Sequence, residues 1–400
     1  MTENKNIRYY LAFLIWPFGT LLYALKNYRE PISRILFVLA ISFLGFTTKS
    51  FGDLERYEEW FYIYRGQNIQ DLIISYLNFQ VSDIYSKTIS ILIGLIFNTH
   101  HFYFAVLYGI YAYLLSGVIL KFARLLPRKI NHTTLLLLIG FALFYSIRSI
   151  ISVRFYTGGL FYLFMMLNYI FTKKNKYLIF SLFTPLFHFG LSLLLLVSPL
   201  LLLLRKKYWL TLGIVIFSLA IGQSSVVNFI EKIAESNEET FIESSYKSYA
   251  ADEGRSRLEE RYRQGAIGAN WKLTALNKTR DFLWYYIVAG ILIVFIERKK
   301  LLIFKQFSDI FILVMLILSA SNIMLNISNG NRYIFIYLFL AFGLFLLIYA
   351  RRNVSNIFRF YIYGLIPLAL AYGAMSLYAS NEMFSFMFFI TNYPIAIFLN

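Results

Sequence analysis

Residues 332–350 read RYIFIYLFLAFGLFLLIYA, and no charge follows Arg332 until Arg351. A helix needs about 20 mainly apolar residues to cross a bilayer, and this run meets that length with arginine at both ends. Similar runs lie near 9–25, 33–49, 102–122, 132–147, 152–171, 207–223, 281–297, 307–325, 357–377 and 384–399. Two stretches are ambiguous. Residues 84–98 are apolar but short, and 177–204 are long for one helix and short for two, with Pro185 and His188 in the middle. The sequence therefore predicts an all-α, polytopic integral membrane protein of about 11–13 transmembrane helices with one broken or re-entrant hairpin. Residues 1–400 form a single transmembrane domain in this reading.

Composition agrees. Of the 400 residues, 59% are aliphatic or aromatic and 15% are charged, against about 25% charged in soluble proteins. A soluble globule of this balance would lack the polar side chains to cover its surface, which excludes a soluble enzyme, a disordered chain and a nucleic-acid-binding domain. There is no cysteine, hence no disulfide framework or thiolate metal site. The four histidines (His100, His101, His132, His188) are too few for a multi-histidine metal centre, and no metal or cofactor is expected. The first apolar run holds Trp16 and Pro17 and lacks a small-x-small cleavage site, so no cleavable signal peptide is expected.

The net charge of +17 is first a topology signal, because lysine and arginine accumulate in cytoplasmic loops. Short basic loops occur at Lys121/Arg124/Arg128/Lys129, Lys173/Lys174/Lys176, Arg205/Lys206/Lys207, Arg298/Lys299/Lys300/Lys305 and Arg351/Arg352/Arg359, with a weaker one at Lys26/Arg29/Arg34. Two longer connections lack this excess and should face outward. One is 50–83, with Asp53, Glu55, Glu58, Glu59, Asp71 and Asp83; the other is the large loop 224–279, whose part Ser244 to Gln264 suits an amphipathic helix. The placements agree if 84–98 does not cross fully and if 177–204 starts and ends inside. The N-terminus is then outside, against the weak contrary signal of Lys5 and Arg8, and the C-terminus inside.

Ionisable residues near membrane depth are costly and mark function more often than chance. The outer ends carry Arg148 and Arg154, His188 at the hairpin apex, Arg280 with Asp281, Arg332, and Asp53 with Arg56. Arginines from several outer turns would form a cationic mouth suited to a diphosphate, whose oxygens guanidinium groups bind in bidentate geometry. The plainer alternative for any one of them is snorkelling to head groups; for His188 it is a hydrogen-bonded core histidine. Tyr57, Trp60 and Tyr62 could stack on sugar rings. No phosphate-binding loop, zinc helix or serine elbow is present.

Three stretches carry a family likeness: Gly52-Asp53-Leu54-Glu55-Arg56-Tyr57; Ile147-Arg148 to Arg154-Phe155 followed by Phe187-His188-Phe189; and Asn331-Arg332-Tyr333. In their order and spacing the chain resembles the EpsG-like branch of bacterial polysaccharide polymerases, near the Wzy O-antigen polymerases. The resemblance implies an enzyme of the bacterial inner membrane, working on its external face without a metal. Its substrate would be an oligosaccharide repeat unit on undecaprenyl diphosphate, and a chain-length regulator protein would be a partner alongside membrane lipid. On that reading Arg148, Arg154 and Arg332 hold the diphosphate, and Arg56, Tyr57 and Arg280 add substrate contacts. Asp53 or His188 takes the acceptor proton. A flippase for the same lipid, a membrane O-acyltransferase and a glycan ligase are the competing functions.

Overall fold

The structure, a computed structural model, describes residues 2–50, 53–78, 80–144, 152–220, 271–324, 332–351 and 354–379. All regular elements among them are helical. The first apolar run is two helices rather than one, α1 (Thr2–Ile15) and α2 (Pro17–Lys26). Proline fixes its own φ and lacks an N–H, so it opens a helix more readily than it sits inside one. Trp16, just before it, leaves helical dihedrals at φ −150° and ψ 85°. The expected single span over 9–25 is corrected accordingly. α3 (Pro31–Phe46) follows.

The acidic connection 50–83 is folded, not an open loop. It contains α4 (Asp53–Tyr64) and α5 (Ile69–Leu77), the latter capped by the Asn68 side chain on the Gln70 N–H at 2.9 Å. α6 (Ile84–Gly94) covers the ambiguous run and, at 11 residues, is too short to cross a bilayer, as expected. Then come α7 (His100–Ala123), α8 (His132–Phe144) and α9 (Val153–Thr172).

The run 177–204 is the broken pair that the sequence suggests. α10 (Asn175–Ser181) ends in two 3₁₀ turns, Thr184–Leu186 and Phe189–Leu191, before α11 (Leu194–Leu203). Pro185 opens the first turn, and His188 between the two is extended, at φ −158° and ψ 120°. α12 (Tyr208–Ala220), α13 (Trp271–Ile296), α14 (Lys305–Met324), α15 (Arg332–Ala350) and α16 (Asn356–Ala379), with a single helical turn at Arg298–Leu301, complete the described chain. α13 begins well before residue 281, where the sequence places its start.

Five described helices, α7 and α13 to α16, are long and apolar enough to span a membrane, and five shorter apolar ones accompany them. α9 has the length, but Arg154, Asn168 and its tyrosines dilute its apolar character. α14 and α15 are buried along most of their length and form the middle of the bundle. Beside them α3 packs tightly on α7, where a Cβ on Gly45 would meet Tyr108 Cγ at 2.6 Å and the Phe104 carbonyl at 2.8 Å. Glycine there lets two helices touch backbone to ring, as small residues do in membrane bundles. α13 and α16 are tied reciprocally. The Tyr286 hydroxyl donates to the Tyr361 carbonyl at 2.8 Å, the Tyr361 hydroxyl donates to the Tyr286 carbonyl at 3.1 Å, and the rings stack.

The two ends of the bundle differ in polarity. At one end bases dominate. Arg29 reaches the carbonyls of Pro127 and Arg128, and Lys173 pairs at 2.5 Å with the buried Asp309, which also lies 3.8 Å from Arg205. The other end gathers the first residues of α4, α6, α9 and α15 with the apex of the broken hairpin.

Candidate functional site

Several helix starts build the site. Each helix N-terminus presents unpaired N–H groups and the positive end of its dipole. The first residues of α4, the residue before α6, the residue before α9 and the first residue of α15 are Asp53, Asp83, Ser152 and Arg332. The Ser152 hydroxyl donates to Asp53 Oδ2 at 2.9 Å, and Arg332 lies 3.6 Å from the same oxygen. That distance is an ion pair but too long for a hydrogen bond. Among the described residues, the donors of Arg332 make no hydrogen bond.

Arg154, in the first turn of α9, is held differently. It donates to Asp83 Oδ2 at 2.5 Å and, through Nε, to the Tyr57 hydroxyl at 3.1 Å. Its guanidinium lies 4.4 Å from the Trp60 ring centre and 5.2 Å from that of Tyr57, a cation–π arrangement that also fixes the plane of the fork. Asp83 is the hub. It sits in the left-handed region at φ 59° and ψ 61°, is 4% exposed, and through Oδ1 accepts the Phe189 N–H of the hairpin apex at 2.6 Å. Left-handed backbone is open to Asp and Asn because their short side chains bond locally.

The apex backbone is satisfied piece by piece. Asp83 takes the Phe189 N–H, His188 Nδ1 accepts the Gly190 N–H at 3.0 Å, and the Tyr333 hydroxyl donates to the Gly190 carbonyl. Because Nδ1 accepts, a neutral His188 ring carries its proton on Nε2. The Phe155 ring touches both His188 and Tyr333 edge-on. Lys87, one turn into α6, is also buried. Its ammonium donates to the Ser82 carbonyl at 3.0 Å and stands over the Trp60 and Tyr64 rings. Burial, reinforced by the Asp83 carboxylate, holds the nearby Tyr76 phenol above its ordinary range, so it remains a neutral donor.

Of the residues singled out from sequence, Asp53, Tyr57, Arg154, His188 and Arg332 come together here. Arg56 is exposed on α4 without a hydrogen-bond partner among the described residues. Arg280 pairs with its neighbour Asp281 at 2.8 Å and lies 5.9 Å over the Phe335 ring, which packs on Tyr156. That leaves it at the margin. Arg148, most of the loop 224–279 and the run 384–399 fall outside the described residues. Sequence reasoning passed over Asp83, Lys87 and Ser152. The available signal for the first two was an acid directly before an apolar run with a lysine four residues later, which one helical turn places on the same face.

Within one site, then, an acid at helix N-termini (Asp53) stands beside an arginine (Arg332) whose donors make no hydrogen bond among the described residues. An aromatic wall of Tyr57 and Trp60 backs a second arginine already neutralised by Asp83. Such a site can accept a proton and hold an anion. No family model, curated protein or solved structure matches the chain.

Proposed function

We propose that the protein joins lipid-linked oligosaccharide repeat units, as a membrane polysaccharide polymerase on the external face of the bacterial inner membrane. The observation that carries the reading is the pairing of Asp53 with Arg332 at 3.6 Å. One side chain is a carboxylate 37% exposed, and the other a guanidinium that makes no hydrogen bond among the described residues. Asp53 suits the base better than His188, whose Nδ1 is occupied by the Gly190 N–H and which is confined between the hairpin turns.

In the step this implies, Asp53 takes the proton of an acceptor hydroxyl as that oxygen attacks the anomeric carbon of the donor glycan. The bond from that carbon to the diphosphate oxygen breaks, and undecaprenyl diphosphate leaves as the anion. Arg332 meets the developing charge, where preorganised donors are worth most. Arg154 serves mainly to fix the aromatic wall, because Asp83 already answers its charge. Tyr57 and Trp60 offer ring faces to a sugar. The bases gathered at the other end of the bundle support this orientation, since lysine and arginine accumulate on the cytoplasmic side.

The test is a gel of surface polysaccharide from a strain lacking the gene, complemented with wild type, Asp53→Asn or Arg332→Gln. Collapse of the ladder to core plus one repeat unit in the deletion, rescued by wild type and by neither variant, is the expected result. Loss of even the single unit points to a flippase or ligase and overturns the reading. An intact ladder with altered acetylation points to an acyltransferase and does the same.

A further inference from the structure

At the basic end, away from the proposed site, a groove of about 840 Å³ runs between α2, α3, α7 and α8. Its walls are mainly apolar, with Leu22, Leu25, Ile41, Leu115, Ile139 and Leu143 among them. Leu22, Leu25 and Ile139 are exposed, so the groove opens toward the surrounding lipid. Two charged side chains break the apolar lining near the basic end, Lys26 and Arg34, beside the hydroxyls of Ser33 and Ser116, and no carboxylate lines it among the described residues.

Arg34 is built into place rather than left to roam. It donates to the Tyr113 carbonyl at 2.9 Å and to the Ser116 hydroxyl at 3.4 Å, and its guanidinium lies 3.9 Å from the Tyr113 ring centre. A Cβ on Gly117 would come within 2.8 Å of its Nη2, so glycine there makes room for the guanidinium. Two of its five N–H groups are used among the described residues, which leaves three for a ligand. Lys121 lies one turn further along the same face of α7. The acid Glu30, four residues before Arg34, is already bonded by the Tyr23 hydroxyl at 2.8 Å.

The dimensions choose the occupant. From Leu135 to Leu143 the groove follows nine residues of α8, a rise of about 12 Å at 1.5 Å per residue. One leaflet of hydrocarbon is about 15 Å deep. An apolar slot of one leaflet's depth, with fixed cations at its head-group end and no acid in its lining, matches a lipid of that leaflet with a negative head group. We propose that this groove is a binding site for an anionic glycerophospholipid, an acyl chain lying between α2, α3 and α8 and its phosphate on Arg34 and Lys26. The site stands independently of the proposed polymerase function.

The experiment uses the full chain, purified and stripped of lipid in detergent. Native mass spectrometry then measures adducts with phosphatidylglycerol and with phosphatidylcholine of the same acyl chains. Phosphatidylglycerol should bind about 25-fold more tightly, about fivefold for each of the two basic residues at a membrane surface. Arg34→Gln should lose about fivefold of that. Lys26→Gln, at an exposed position, should lose a comparable factor and tests the charge without disturbing the bonds Arg34 makes. Ile139→Trp should obstruct the slot and weaken both lipids alike. Equal binding of the two lipids, or no effect of both charge variants, overturns the proposal. Tighter binding of a polyprenyl phosphate than of phosphatidylglycerol overturns the assigned occupant.

Discussion

Replacing Asp83 with asparagine tests the site at its hub. The side chains of Arg154 and Asp83 are 14% and 6% exposed, so water does not replace either partner when the other is removed. Removing one member of such a pair leaves a buried charge without compensation, at a cost of about 3–5 kcal/mol. Asparagine keeps a carbonyl oxygen for the Phe189 N–H, and it tolerates the left-handed backbone at φ 59°. The loss is therefore almost all charge. Asp83→Ala should cost about 1–2 kcal/mol more, for strain at that φ, together with the lost Phe189 bond. Arg154→Gln should cost a similar 3–5 kcal/mol. The double variant should cost less than the sum by about 2 kcal/mol or more, as coupled contacts do. The assay is equilibrium unfolding from mixed micelles into SDS, followed by circular dichroism. Additivity within about 0.5 kcal/mol would show that the two residues do not act on each other, and would refute the reasoning.

Arg332→Lys should fail to restore the polysaccharide ladder, because a single ammonium cannot offer the fork, while unfolding stays within about 0.5 kcal/mol of wild type; the gel and the SDS titration check both halves. Gly45→Ala drives a methyl against Tyr108 and Phe104 and should cost about 1–3 kcal/mol, seen as a lower unfolding midpoint. Tyr361→Phe removes a single donor to the Tyr286 carbonyl, keeps the ring stack, and should cost about 1 kcal/mol. Asp309→Asn leaves Lys173 and Arg205 without their acid at the far end, so it should lower the unfolding midpoint while the proposed site, at the other end, is unaffected and the variant still restores the polysaccharide ladder where it accumulates.

Apolar runs were readable because length and charge depletion settle them without knowledge of neighbours. The break at His188 was readable for the same reason, since proline and histidine are costly in an otherwise aliphatic span. Trp16–Pro17 carried the equivalent signal, but a run long enough to cross concealed it. The site was half legible. Arg154 and Arg332 stand out because arginine is uncommon on outward turns. Asp83 did not, because its role comes from reaching 106 residues along the chain to Phe189 and 71 to Arg154, and separations of that kind leave no local pattern. The helical character of 53–77 was missed because its acids suggest a solvated loop, whereas Leu54, Tyr57 and Phe61 bury one face.

The Tyr333 hydroxyl that closes the Gly190 carbonyl has a bearing on how the chain is made. Tyr333 lies 143 residues downstream of that carbonyl. At roughly 5–20 residues per second of synthesis, roughly 7–30 s separate the two. Over that interval the kinked segment 175–203 emerges with a polar backbone group that its own residues do not satisfy. Its insertion is thus tied to the arrival of α15. The nascent hairpin must wait beside the insertion machinery, or in contact with water, until a much later helix seals it.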